Sequence, residues 1–169
     1  MECLKLNQES VSESIFQQIM EVENSTGDGY SESAMRRMWQ TENINDNFVC
    51  KVNNKIVGII TFNPNSKRRN GSVYMVNLTV LPQYRRRGIA QSLILCACDY
   101  YLKKQIKLPM SLSVDRDNNS AYNLYLKVGY EVKTPITQIE KDDDGQQLIM
   151  EATLQKIKER ISYINEKIK

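Results

Sequence analysis

The stretch of residues 73–95 constrains the fold more than any other part of the chain, because a strand pattern changes there into a helix pattern. Apolar residues recur up to Val80, as in a β-strand, and Pro82 then removes a backbone donor and ends the strand. From Ile89 onward the apolar residues recur at helical spacing. The sequence therefore predicts a strand, a turn, and a helix that begins near Gly88.

The predicted turn has the features of an anion-binding site. It holds three consecutive arginines, Arg85, Arg86 and Arg87, followed by Gly88. The first turn of a helix leaves backbone N–H groups without partners, and the positive end of the helix dipole lies there. Glycine lets a ligand approach the backbone closely, and arginine supplies cationic donors. The pattern indicates a phosphate-binding turn, and a basic surface turn is the other interpretation.

A second strand and helix follow the first pair. Met110, Leu112 and Val114 alternate with polar residues and predict a strand, and residues 118–129 predict a helix that Gly129 ends. A strand-helix-strand order requires a right-handed crossover, so the two strands should lie parallel in one sheet. A ligand at the Gly88 turn would lie at the carboxyl ends of these strands.

The rest of the chain predicts ordinary elements. They are an opening strand over residues 3–6, a helix capped by Ser10 or Ser12, a helix capped by Ser31, a hairpin that turns at Asn53 and Asn54, and a closing hairpin of residues 131–133 and 147–154. Residues 64–71 read as a solvated basic loop, the stretch around Pro135 as irregular, and residues 142–145 as an acidic turn.

Composition bounds the function classes. A chain of 169 residues with 41% hydrophobic content suits one domain, and a net charge of +3 disfavours nucleic acid as the partner. We expect no membrane segment and a cytoplasmic protein, because no apolar stretch could span a bilayer and no signal-peptide pattern is present. The chain has no histidine, which removes the usual hydrolase base and disfavours a zinc site.

Two motifs resemble those of the GNAT superfamily of acyl-CoA-dependent N-acetyltransferases. The first is Arg85-x-x-Gly88-x-Ala90 after a strand, and the second is Asn118-x-x-Ala121-x-x-Leu124-Tyr125-x-x-x-Gly129-Tyr130. They stand in the expected order and at the expected distance, which is far more specific than either motif alone. The resemblance covers roughly residues 1–154, and the ending DDGQQLIMEATL looks most like the ribosomal-protein alanine N-acetyltransferase branch.

The resemblance implies a GNAT-like α/β fold, in which helices flank a mixed, mostly antiparallel sheet with a central parallel strand pair. Residues 1–154 would form the acetyltransferase domain, and residues 155–169 a C-terminal amphipathic helix extension. The extension carries a stripe of isoleucines, Ile157, Ile161, Ile164 and Ile168. We expect this stripe to pack on its own domain, and a homodimer contact is the alternative.

The resemblance also implies a reaction and a site. Acetyl-CoA would donate its acetyl group to a primary amine by direct attack in a ternary complex, without a metal. Leu78 and Val80 would offer backbone groups to the pantetheine arm and thioester, and Asn118 would bind the cofactor arm. The pyrophosphate would lie on the turn formed by Arg85, Arg86, Arg87, Gly88, Ile89 and Ala90. Tyr125 matches the tyrosine acid of the family, and a phenol is protonated at neutral pH.

The general base departs from the family pattern. In the alanine-acetylating branch a glutamate stands at the position of Ser113, so that role is not carried over. Asp115 lies two residues on and on the same face of the strand, and it can act as a catalytic base through water. Glu21 and Glu23 on the first helix are other candidates. Capping the helix that follows is the second role open to Asp115.

Two further function classes stay open at this stage. One is a CoA-binding regulatory module without turnover, and the other is an RNA-binding protein that uses the basic residues 67–69 and 85–87. The acceptor of an acetyltransferase is open as well, between a small-molecule amine, a protein N-terminus and a lysine.

Overall fold

The computed structural model describes residues 1–27, 29–41, 44–66, 71–133 and 147–167. These residues form two compact units: unit 1 comprises residues 1–65 and 76–97, and unit 2 comprises residues 66–75 and 98–169. Four parts of the sequence for which predictions were made lie outside the described residues. They are residues 67–70 of the predicted basic loop, the stretch around Pro135, the acidic turn at residues 142–145, and Ile168.

The strands of unit 1 form an antiparallel meander. They are β1 (Glu2–Leu6), β2 (Asp46–Val52) and β3 (Lys55–Asn63), in the order β1-β2-β3, with the later part of β4 (Val73–Val80) next to β3. Asn53 and Asn54 connect β2 to β3 with φ values of 50° and 63°. Two successive positive φ values are what a two-residue hairpin turn requires, and asparagine tolerates them. The predicted hairpin is therefore confirmed.

Three helices belong wholly or partly to unit 1. They are α1 (Glu13–Asn24), α2 (Glu32–Arg36) and the first part of α3 (Ile89–Lys103). The Ser12 hydroxyl accepts a hydrogen bond from the Ile15 N–H, and the Ser31 hydroxyl accepts one from the Ala34 N–H. Serine oxygens in this position satisfy helix N–H groups that otherwise lack a partner, so the sequence located both helix starts. A π-helical turn, Arg37–Thr41, follows α2.

The strands of unit 2 contain the predicted parallel pair. The first part of β4 pairs in parallel with β5 (Met110–Asp115), with Val73 opposite Met110. The unit continues in the order β5-β7-β6, where β7 (Gln147–Ala152) is antiparallel to both β5 and β6 (Glu131–Val132). The strand predicted over residues 147–154 ends at Ala152, because Leu154 already begins the last helix.

Helices α4 (Asn119–Lys127) and α5 (Leu154–Lys167) lie in unit 2. Ile157, Ile161 and Ile164 of α5 are buried, while Lys158 Nζ lies 2.8 Å from Asp99 Oδ1. These three isoleucines are therefore buried against their own chain. Across the described part of the chain, seven strands that are antiparallel except for β4 and β5, together with five helices, give the expected mixed α/β class. None of these helices has the length and apolarity to cross a membrane.

Candidate active site

The turn between β4 and α3 has a backbone that few residue types adopt. Pro82–Tyr84 form a 3-10 turn in which the Tyr84 N–H donates to Leu81 O at 2.9 Å. Gly88 then has a φ of 79°, and Arg86 a φ of 61°. A positive φ costs a side-chain-bearing residue about 1–2 kcal/mol, so glycine suits position 88.

The first backbone hydrogen bond of α3 runs from the Ser92 N–H to Gly88 O, at 2.9 Å. The N–H groups of Ile89, Ala90 and Gln91 therefore have no acceptor inside the helix. The backbone is unobstructed at Gly88, since a Cβ placed there would meet Gln91 Oε1 at 4.0 Å as its nearest neighbour.

The three arginines of the turn are exposed but differ in their contacts. Arg85 Nε donates to Val80 O at 2.9 Å, which ties the turn back to the end of β4. The guanidinium of Arg87 lies 5.5 Å from the centre of the Tyr84 ring, within the range of a cation–π contact. The site thus combines helix N–H groups with cationic side chains, which is the donor set that phosphates prefer.

The end of β4 has two different faces. Leu78 and Val80 are half-buried and alternate with Thr79, which is buried. Thr79 Oγ1 donates to Asn77 Oδ1 at 3.0 Å, and Asn77 Nδ2 donates to Glu23 Oε2 at 2.6 Å. Asn77 and Thr79 were not among the site residues predicted from the sequence. Their signal was the alternation of two polar residues inside an otherwise apolar strand.

Tyr125 on α4 is the proposed acid, and it is only 8% exposed. Burial, followed by the charge interaction with Tyr74, raises the pKa of the Tyr125 phenol to about 12. Its ring centre lies 5.7 Å from that of Tyr130 in an edge-on contact. The phenol therefore keeps its proton throughout the neutral range.

Asp115 and Asn118 have different roles in the turn between β5 and α4. Asn118 Oδ1 accepts a hydrogen bond from the Ala121 N–H at 3.1 Å, and the Asn118 N–H donates to Asp115 O at 3.0 Å. Asn118 is therefore the helix cap, and the suggestion that Asp115 caps α4 was wrong. Asp115 is exposed at the end of β5.

Glu21 and Glu23, the other candidates for the general base, differ in their exposure to solvent. Glu21 is half-exposed, and its carboxylate is 2.6 Å from Lys55 Nζ. Glu23 is buried. Of the predicted site residues, those from Leu78 to Ala90 lie in unit 1, and Asp115, Asn118 and Tyr125 lie in unit 2.

Solved structures resemble this fold along almost the whole chain. The ribosomal-protein-S18-alanine N-acetyltransferase of Escherichia coli gives a TM-score of 0.69 at 18% identity, covering 90% of this chain and 93% of that one. The PaiA N-acetyltransferase of Thermoplasma acidophilum, solved with coenzyme A, gives 0.65 at 22% identity and covers 90% and 98%. The aminoglycoside 6'-N-acetyltransferase of Enterococcus faecium gives 0.72 at 13% identity and covers 91% and 97%.

Sequence comparison reaches the family level. No curated protein sequence is significantly similar to this one. The model of the acetyltransferase (GNAT) family matches residues 15–130, which is more than half of the chain and includes the Gly88 turn and Tyr125. The chain therefore belongs to the GNAT acetyltransferase family.

Proposed function

We propose that this protein transfers the acetyl group of acetyl-CoA to a primary amine, by direct attack of the amine in a ternary complex. Membership of the GNAT family implies acetyl-CoA-dependent acetyl transfer. The observation that carries the proposal is the Gly88 turn, where three helix N–H groups without an intrahelical acceptor follow an unobstructed glycine and three exposed arginines. A pyrophosphate suits this set of donors.

Each binding role in the proposal belongs to a named part of the chain. The backbone of Leu78 and Val80 would hold the pantetheine arm and the thioester. The turn residues would hold the pyrophosphate: Arg85, Arg86, Arg87, Gly88, Ile89 and Ala90. Asn118 would bind the cofactor arm with its side-chain amide N–H groups, since its oxygen caps α4.

In the chemical step the neutral amine nitrogen attacks the thioester carbonyl carbon, and the carbon–sulfur bond breaks. The electron pair leaves with the sulfur, and the thiolate takes a proton from Tyr125. The proton lost by the amine passes through water to Asp115, which is exposed and therefore accessible to water. Tyr125 holds a proton at neutral pH, since burial raises the pKa of its phenol to about 12.

The acceptor is proposed only as a class, the primary amines. Some structural neighbours acetylate an alanine of a ribosomal protein or an aminoglycoside, so both acceptor types belong in a first screen. We place the reaction in the cytoplasm as part of the proposal, because Cys3, Cys50, Cys96 and Cys98 are all free thiols.

The proposal is tested first by binding. Saturating acetyl-CoA should raise the melting temperature and give a saturable calorimetric signal, since a ligand at 100 times its Kd stabilises a protein by about 2.7 kcal/mol. Gly88→Glu should weaken binding at least tenfold, because the new carboxylate would occupy the place of the phosphate. Gly88→Ala is the matched control, since it adds the same backbone strain without a charge.

Turnover is tested second, by release of free thiol from acetyl-CoA. The acceptors are a peptide that begins with alanine, a lysine-containing peptide, a polyamine and an aminoglycoside. Absence of acetyl-CoA binding would refute the proposal. Binding without thiol release for every acceptor would instead support the regulatory module that binds CoA without turnover.

A further inference from the structure

Glu23, in the last turn of α1, is a carboxylate in an enclosed place. It is 2% exposed. Its Oε1 accepts a hydrogen bond from the Tyr30 N–H at 2.9 Å, and its Oε2 accepts one from Asn77 Nδ2 at 2.6 Å. Within the described ranges it forms no ion pair. A buried carboxylate without a cation is costly unless hydrogen bonds compensate it, so both bonds are needed to keep Glu23 inside.

Three residues of the segment after α1, Thr26, Gly29 and Tyr30, lie directly on Glu23. Thr26 Oγ1 donates to the carbonyl of Glu23 at 3.1 Å. A Cβ on Gly29 would lie 3.0 Å from both Cγ and the carbonyl oxygen of Glu23, so a side chain at this position would require Glu23 to shift. The Tyr30 hydroxyl donates to Val76 O of β4 at 3.4 Å.

These contacts join α1, the segment after it, and β4 through one carboxylate. On the strand side the chain of hydrogen bonds continues from Asn77 to Thr79, which is buried. Asn77 immediately precedes Leu78, whose backbone the proposed function assigns to the cofactor. Residues 29 and 30 are thus held beside the strand position where the acceptor amine has to reach the thioester.

We propose that Glu23 is a positioning residue for the acceptor: it pins residues 29 and 30 to β4 and so fixes one wall of the acceptor's approach. The effect on the acceptor rests on the proposed function. The pin, by which we mean the hydrogen bonds through Glu23 that hold residues 29 and 30 to β4, does not rest on it. It differs from the role of general base, because both carboxylate oxygens are engaged and shielded from water.

The geometry supplies a specific pair of substitutions. In Glu23→Gln one carboxylate oxygen becomes an NH₂ group, and the Asn77 amide can turn over so that its oxygen accepts from this group and its own NH₂ donates to the Thr79 hydroxyl; the hydrogen bonds are kept and only the charge is removed. In Asn77→Asp two carboxylates would face each other. In the double variant the new glutamine amide donates to the new aspartate, while the bonds from the Tyr30 N–H and the Thr79 hydroxyl are kept. A cycle of the two single variants and the double variant therefore isolates this bond.

The pin is measured by the hydrogen exchange of the Tyr30 amide in the full-length protein, followed by NMR. We expect exchange to be at least tenfold faster in Asn77→Asp, and to be close to the wild-type rate in Glu23→Gln and in the double variant. Glu159→Gln, an exposed substitution in α5, is the matched control. Unchanged Tyr30 exchange in Asn77→Asp, or failure of the double variant to recover, would overturn the pin.

The consequence for the reaction is measured with the acceptor found by thiol release. Asn77→Asp should raise the acceptor KM at least fivefold and leave the Kd for acetyl-CoA within twofold, and the double variant should restore KM. A lower kcat with unchanged KM, or kinetics unchanged while the Tyr30 exchange is faster, would overturn the positioning role. If wild-type protein does not bind acetyl-CoA, the proposed function fails, while the exchange experiment still decides whether the pin exists.

Discussion

Replacing Tyr125 by phenylalanine tests the proposed acid most directly. The substitution removes one hydroxyl and keeps the ring that contacts Tyr130 at 5.7 Å. If the phenol gives its proton to the departing thiolate, turnover should fall by about 10²- to 10⁴-fold, and the Kd for acetyl-CoA should stay nearly unchanged. Tyr122→Phe is the matched control, because this half-buried tyrosine lies on the same helix.

The buried phenol also predicts a dependence of stability on pH. Burial and the neighbouring Tyr74 raise the pKa of Tyr125 from 10 to about 12 in the folded protein. The proton is therefore held more tightly in the folded chain than in the unfolded chain. The resulting stability is fully present below pH 10 and is lost as the pH rises through 12.

The size of the effect follows from these two pKa values. Between pH 8 and pH 11 the wild type should lose about 1.4 kcal/mol of unfolding free energy that Tyr125→Phe does not lose. Urea unfolding of both proteins at the two pH values measures this difference. If the unfolding free energies of the wild type and Tyr125→Phe differ by the same amount at both pH values, the argument from burial is refuted. Wild-type turnover of Tyr125→Phe would refute the role as acid.

Two further predictions concern stability. Glu13→Gln should lower the urea midpoint at pH 7. This difference from the wild type should narrow as the pH falls from 4.5 to about 2, because hydrogen bonds from Arg36 depress the pKa of Glu13 to about 2. A difference in midpoint that persists at pH 2 would argue against the ion pair as its cause. Ile161→Ala should cost about 2–5 kcal/mol of unfolding free energy, since this α5 side chain is 1% exposed. The control Ser162→Ala, at the exposed neighbouring position, should be nearly neutral. Equal stabilities of the two variants would show that the stripe does not pack on its own chain.

The central elements of the fold could be predicted because local signals there agree with each other. Pro82 ends β4, Gly88 supplies the positive φ before α3, and the serine caps of α1 and α2 stand where a helical pattern begins. The cap of α4 was harder to assign. Asp115 and Asn118 stand three residues apart, and both residue types are good caps. Only the backbone path decides which side-chain oxygen reaches the Ala121 N–H.

Long-range partners were beyond the sequence. Glu23 continues the buried side of α1 at helical spacing from Phe16 and Met20, which is a signal that the side chain faces inward. Its partner Asn77 lies 54 residues further along the chain, and nothing local links the two. The order of the last strands was open for the same reason, since the hairpin pattern does not tell which of β6 and β7 pairs with β5.

The polar face of β4 departs from what stability alone would favour. Asn77 and Thr79 alternate with half-buried apolar residues, and a strand with apolar side chains at both positions would need neither Glu23 nor its hydrogen bonds. Replacing buried polar or charged groups by well-packed apolar ones is often neutral or stabilising. Natural proteins tend to break such local rules at functional sites. The three polar residues are therefore better explained by the need to hold residues 29 and 30 beside the end of β4 than by the needs of folding.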